Sequence, residues 1–276
     1  MVTTEQTQNI RQGLSSRESQ LLSQLAGEGF QIISIGDIEG TLDIAPNAAR
    51  EIASRLTKKG WLDRLFPGRY LIIPLAAGEN AVYTTHEYLI ASHIAEPMYV
   101  GYYTALNHHG LTEQVPQTVY TVTPSRAQSR EIHGVPYRVA TVTEGKFFGY
   151  ESVSIEGTAV NVADVEKTIV DCADHPEYCG GIRELATAMV TADEQSCSWS
   201  TVATYLQRLD NGAATKRIVY LSDLFGIDLP ERERLVASFT SGYSLLDPTL
   251  PEEGRYDSEY RLLINLDTDT LGPPES

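Results

Sequence analysis

Apolar positions in the first eighty residues change their period several times, and each change marks an element. Leu21, Leu22 and Leu25 recur at helical steps behind Ser15-Ser16-Arg17-Glu18, an S-x-x-E capping box, before Gly27 and Gly29 stop the helix. A short apolar run follows at Phe30, Ile32, Ile33 and Ile35, and Ser34 can cap a second short helix through Asp37, Ile38 and Leu42. Ala45-Pro46-Asn47 starts a third helix, with proline in the first turn, where its missing N–H leaves nothing unsatisfied. Ala45, Ala48, Ala49, Ile52, Ala53 and Leu56 make one apolar stripe as far as Lys59, and Gly60 is a natural residue to end it. The opposite face shows Asn47, Arg50, Glu51, Ser54, Arg55 and Lys58. Two β-like runs, 61–66 and 69–73, flank Pro67-Gly68, a pair suited to a type II turn, and Pro74 ends the second.

Helix, short helix, exposed polar helix and hairpin is the order of a winged helix-turn-helix. In such a unit the exposed helix enters the major groove and the hairpin touches flanking phosphates. Asn47 and Arg50 are residue types that read base edges bidentately. The expected interface is therefore Asn47, Arg50 and Ser54, with Arg55 beside them, in the groove, and Lys58, Arg64 and Arg69 on phosphates.

Past residues 75–80 the pattern resets, so the expected domains are 1–80, a winged helix-turn-helix DNA-binding domain, and 81–276. The spacing predicts helices over 85–96 and 99–114, strands over 118–123 and 132–143, and a hairpin over 147–162. An amphipathic helix over 162–175 ends at Pro176, helices dominate from 182 to 238, and Leu262–Leu266 is a last apolar run. The expected fold class is α+β: an N-terminal winged helix-turn-helix, then a C-terminal domain with a small β-sheet packed by helices and a helical tail.

Composition first argues against nucleic acid. The chain has 276 residues, with 37 Asp+Glu against 21 Lys+Arg and a net charge of −16. Resolved along the chain, residues 1–80 hold 9 acids and 8 bases, while residues 81–276 hold 28 and 13. Inside the first part, Thr41–Tyr70 is basic: Arg50, Arg55, Lys58, Lys59, Arg64 and Arg69 against Asp43, Glu51 and Asp63. A small basic window on an acidic body points to a local anion contact. No apolar stretch approaches the roughly 18–20 residues of a membrane span, and three cysteines make a disulfide-built secreted fold a poor fit. The expected setting is cytoplasmic, with no membrane partner.

Three segments carry a resemblance to a known family. Ala49–Pro74, with Leu56, Gly60-Trp61-Leu62 and Gly68-Arg69-Tyr70, is similar to the N-terminal domain of the AbiEi antitoxins. Tyr102–Gln114, containing Ala105-Leu106 and His109-Gly110-Leu111-Thr112-Glu113-Gln114, resembles the segment that opens the family's C-terminal domain. Val162–Gly181, with Asp164, Glu166-Lys167-Thr168, Asp171 and Gly180-Gly181, resembles its second hallmark. The resemblance covers about Ser16–Gly226 and implies the antitoxin of a type IV toxin–antitoxin pair, an autorepressor acting on double-stranded operator DNA at inverted repeats. It implies a nucleotidyltransferase-like toxin that is opposed functionally, with direct binding left open. It implies no enzyme activity and no cofactor.

Rival chemistries stand beside that reading. Asp164, Glu166, Lys167, Asp171 and Asp174 would suit a nucleotide- or RNA-acting enzyme placed on DNA by the winged helix, but read as capping plus surface pairing on a helix whose buried stripe is Val165, Ile169 and Cys172. Cys172-x-x-His175-x-x-x-Cys179 is the most zinc-like spacing, with Cys197 as the candidate fourth thiol, and Pro176 and the scatter favour core residues instead. One of His108 and His109 is expected to bond the helix end or pack inside. An acidic body docking a basic protein is the third reading. No catalytic residue and no metal ligand is assigned.

Overall fold

In the computed structural model, which describes residues 11–78 and 83–271, Ser15 opens the first helix as its spacing predicts. Both halves of the capping box of α1 (Ser16–Gly27) are made: the Ser15 hydroxyl accepts from the Glu18 N–H, and the Glu18 carboxylate accepts from the Ser15 N–H at 2.8 Å. β1 (Ile32–Ser34) follows, and Ser34 with Asp37 repeats the device at α2 (Ile35–Leu42). Asp43, with left-handed backbone at φ 48°, turns the chain toward α3 (Pro46–Lys58). α3 ends in a Schellman motif: the Gly60 N–H donates to Thr57 O at 3.1 Å and the Trp61 N–H to Leu56 O at 2.9 Å, with Gly60 at φ 77°.

That ending aims the chain into β2 (Leu62–Phe66), which turns at Pro67-Gly68 and pairs with β3 (Arg69–Ile72). β3 lies between β2 and β1 and is antiparallel to both. Leu21, Leu25, Ile33, Ile38, Ala49, Ala53 and Leu56 form the core beneath, drawn from all three helices and β1. α4 (Glu87–Ser92) is shorter than the helix expected over 85–96. His86 caps it by accepting from the Tyr88 N–H at 3.2 Å, and at its end the His93 N–H donates to Ile90 O at 3.1 Å.

The chain divides into two units, the first comprising residues up to 93 with 132–134, the second residues 94–131 and those from 135 onward. The boundary expected at residue 80 falls among residues 79–82, outside the described residues.

In the second unit β4 (Tyr99–Val100), β5 (Val119–Thr123), β6 (Arg130–Ile132), β7 (Val135–Thr141), β8 (Tyr150–Ile155) and β9 (Thr158–Ala163) make one mixed sheet in the order β6-β7-β5-β4-β9-β8. The helix expected over 99–114 is confined to α5 (Tyr102–His108). Tyr99 and Val100 form a central strand instead, antiparallel to β5 and parallel to β9, because both side chains are wholly buried there. The single strand expected over 132–143 becomes two, since His133 (φ 52°) and Gly134 (φ 80°) turn the chain between them.

Five helices follow: α6 (Val165–Asp174), α7 (Ile182–Glu194), α8 (Trp199–Leu209), α9 (Gly212–Phe225) and α10 (Arg232–Ala237). α6 is the hub, packed against α5, α7, α8 and α9, and the larger core of the molecule surrounds it. The tail is not wholly helical. β10 (Ser244–Leu245), β11 (Arg255–Asp257) and β12 (Leu262–Ile264) make a small sheet in which β12, buried throughout, lies parallel to β10 and antiparallel to β11. The fold class is α+β. Among the described residues no helix is long and apolar enough to cross a membrane.

Candidate nucleic-acid interface

Of the apolar stripe expected on α3, Ala49, Ile52, Ala53 and Leu56 are buried, Ala48 is half-buried, and Ala45, the N-cap, is exposed. What remains on the far side is fixed by the 3.6-residue period. Asn47, Arg50, Glu51, Ser54 and Lys58 recur at three- and four-residue steps and are all exposed. The Arg50 guanidinium donates to the Asn47 side-chain oxygen at 2.9 Å, one exposed bond within the helix. Arg50 is thus oriented but still open to solvent.

Arg55 stands on the flank of that stripe and faces another way. Its Nε lies 3.6 Å from a Glu18 carboxylate oxygen, while the Lys59 ammonium donates to the other oxygen at 2.6 Å. Glu18 itself is only 3% exposed. Burial would raise its carboxyl, but the Lys59 ammonium and the Ser15 N–H and hydroxyl outweigh that and hold it down at about 2. The Glu18 cluster ties the start of α1 to the end of α3. A second strap runs alongside: Arg11 lies 4.5 Å over the Trp61 ring and donates to Pro74 O at 2.7 Å, and the Trp61 indole donates to Gln12 O at 2.8 Å. On the hairpin, Arg64 is exposed and Arg69 half-buried, on adjoining antiparallel strands beside the Pro67-Gly68 turn.

The seven residues expected at the interface all lie in the first unit, on α3 and its following hairpin. Five of them share the outward surfaces with Glu51, Arg69 is partly enclosed, and Arg55 is engaged with Glu18. The capping box singles out Glu18 in the sequence, but no local signal marks Lys59, 41 positions on, as its partner.

The second unit uses its cations differently. Lys167 is 1% exposed and Asp171 4%, so the expectation of surface pairing along Asp164–Asp174 is corrected: the pair is internal. The Lys167 ammonium donates to one Asp171 oxygen and the Tyr99 hydroxyl to the other at 2.9 Å. Burial pushes the Asp171 carboxyl up, and Lys167 and Tyr99 only partly offset it. The ammonium also lies 4.7 Å from the centre of the Phe148 ring. Gly149, at φ 69°, presses on the lysine stem so closely that a Cβ there would lie 2.9 Å from the Lys167 Cβ. Asp164 caps α6 as expected, accepting from the Lys167 N–H at 2.6 Å, and takes the Tyr205 hydroxyl at 2.9 Å.

Lys216 and Arg217 are buried on α9 and bind the chain beyond α10, and Arg217 also binds the end of α6. The Lys216 ammonium donates to Gly242 O at 2.6 Å, and Arg217 to Leu246 O at 3.0 Å and Ala173 O at 2.8 Å. Burial lowers both below their ordinary values. Cys172 and Cys179 are core residues, Cys197 meets Glu166, and His175 stacks on Tyr178 with ring centres 5.2 Å apart. Among the described residues no three His, Cys, Asp or Glu side chains converge as a metal site. The His109 Nε2 lies 2.7 Å from Ala163 O, so one of the two histidines makes an internal contact while His108 is exposed.

No family model matches this chain, and no curated protein matches it. Among solved structures it is similar to the crystal structure of the RV2827C protein from Mycobacterium tuberculosis, with a TM-score of 0.66 and 17% identity over 93% of this chain and 94% of that one. The likeness is one of fold.

Proposed function

We propose that the first unit is a winged helix-turn-helix that binds double-stranded DNA, and that the chain is a cytoplasmic transcriptional autorepressor and antitoxin of the AbiEi type rather than an enzyme. One observation carries the reading: α3 buries Ala49, Ile52, Ala53 and Leu56 along one face and leaves Asn47, Arg50, Ser54 and Lys58 in an exposed row, with Arg64 and Arg69 on the hairpin that follows. A helix so arranged fits the width of the major groove, and the hairpin then falls over the adjoining backbone.

In this reading Arg50 exchanges its bond to Asn47 for the two acceptors of a guanine edge, and Asn47 is released to pair with an adenine. Lys58, Arg64 and Arg69 neutralise phosphates and set the register. Arg55 acts mainly by holding α3 against α1 through Glu18. The AbiEi resemblance supplies the rest of the proposal: inverted repeats in the operator and a nucleotidyltransferase-like toxin opposed by the second unit. Burial of Lys167 and Asp171 speaks against their acting on a substrate, since neither reaches solvent.

A footprint on the DNA upstream of the protein's own gene tests this. The wild-type chain should protect paired half-sites, and Arg50→Ala with Arg69→Ala should abolish the protection. A footprint that survives the double change would remove α3 and the hairpin from the interface.

A further inference from the structure

The six-stranded sheet of the second unit ends in two unlike edges. β6, at one end, is three residues long and carries Arg130 and Glu131. β8, at the other, is six residues long, has Glu151 as its one charge and contains no proline. It pairs with β9 without a bulge from Tyr150↔Ala163 to Ile155↔Thr158. Four of its residues are exposed and two half-buried. Short length, charge, proline and bulges are how edge strands avoid joining other strands, and β6 has two of these where β8 has little more than one carboxylate.

The direction of the backbone groups follows from the ladder. The two-residue turn Glu156-Gly157 closes the hairpin at Ile155↔Thr158, and at the other end the Asp164 N–H donates to Gly149 O at 3.0 Å. Both place the odd-numbered residues' backbone groups toward β9. Tyr150, Ser152 and Ser154 therefore turn their N–H and C=O outward.

We propose that a second copy of this chain pairs with this edge, β8 to β8 and antiparallel, about a two-fold axis at Ser152. In that register Ser152 faces the partner's Ser152 and Tyr150 faces the partner's Ser154, so every outward N–H and C=O of the three residues is matched. On the other face Glu151 falls opposite the partner's Val153, and no two carboxylates stand directly opposed, an arrangement that like charges would spoil. The edge is also held in place beforehand, because the Tyr150 ring lies 5.3 Å from that of Tyr99 and 5.0 Å from that of Phe147. The pairing joins two six-stranded sheets into one. Such an edge alone buries less than the ~1,200 Å² of a standard interface, so the dimer is weak and concentration-dependent. It stands independently of the DNA reading.

Sedimentation velocity of the full chain over a wide concentration range tests it. The mass should rise from 30.4 kDa toward twice that value. Ser152→Lys sets like charges at the axis and should weaken association about tenfold while leaving the circular dichroism spectrum unchanged. Ser152→Cys should form an interchain disulfide under a mild oxidant, whereas Ser154→Cys and the wild-type chain should not. A chain that stays monomeric throughout, or a dimer indifferent to Ser152→Lys with no cross-link from Ser152→Cys, overturns the proposal.

Discussion

The cations of α3 and those of α6 and α9 stand in opposite situations. On α3, Arg50 and Lys58 reach into solvent, and Arg50 is steadied by one bond to a neighbour on its own helix. On α6 and α9, Lys167, Lys216 and Arg217 are shut inside with every partner supplied by the chain. The first set has binding capacity left over, and the second has spent its own on internal structure. Net charge is blind to this difference. The −16 of the whole chain describes a solvated acidic surface, whereas the placement of a few side chains decides what an anion can meet.

Removing a buried partner should produce the largest effect. Lys167→Ala leaves Asp171 uncompensated and should cost about 3–5 kcal/mol in denaturant unfolding of the second unit. Replacing both, Lys167→Met with Asp171→Leu, should cost far less, because neither charge then remains to be stranded. Equal losses from the two variants would mean that packing, not the ion pair, is what the site supplies.

Next comes the Glu18 anchor in the first unit. Glu18→Gln should cost about 2 kcal/mol. Its carboxyl titrates at about 2 when folded against an ordinary 4.5, so its contribution is complete above pH 4.5 and is lost as pH falls toward 2. The variant should therefore show a shallower fall in stability across that window, and a fall as steep as the wild type's would break the assignment. On the outward side the effects are smaller and fall on DNA binding. Arg69→Ala should weaken all duplexes alike and reduce the salt slope of binding by about one. Arg55→Ala should change DNA affinity less than either Arg50→Ala or Arg69→Ala, since that guanidinium already faces Glu18.

The first unit could be read from sequence because its signals are local. Ser15 and Ser34 cap within three residues, Gly60 ends α3 by its own backbone, and the stripe of α3 needs one buried side only. The second unit is governed by distant contacts. α6 is enclosed by four other helices, so Lys167 and Asp171, which a one-sided pattern assigns to the surface, are buried with the rest of it. Tyr99 and Val100 read as part of a helix because two residues carry no period, and only the strands on either side of them make them a strand. The proposed interface residues follow from the same local logic, which groups Arg55 with them because its partner Glu18 lies 37 positions away.

In the proposed reading the outward row of α3 reads base sequence. Equilibrium binding of wild type and Arg50→Ala to an operator duplex and to a scrambled duplex, across a salt series, tests it most directly. Discrimination between the two duplexes should shrink by about 1–3 kcal/mol in Arg50→Ala, with the salt dependence on the scrambled duplex little changed. Discrimination that is unaltered by Arg50→Ala, with both affinities intact, would remove Arg50 from base readout.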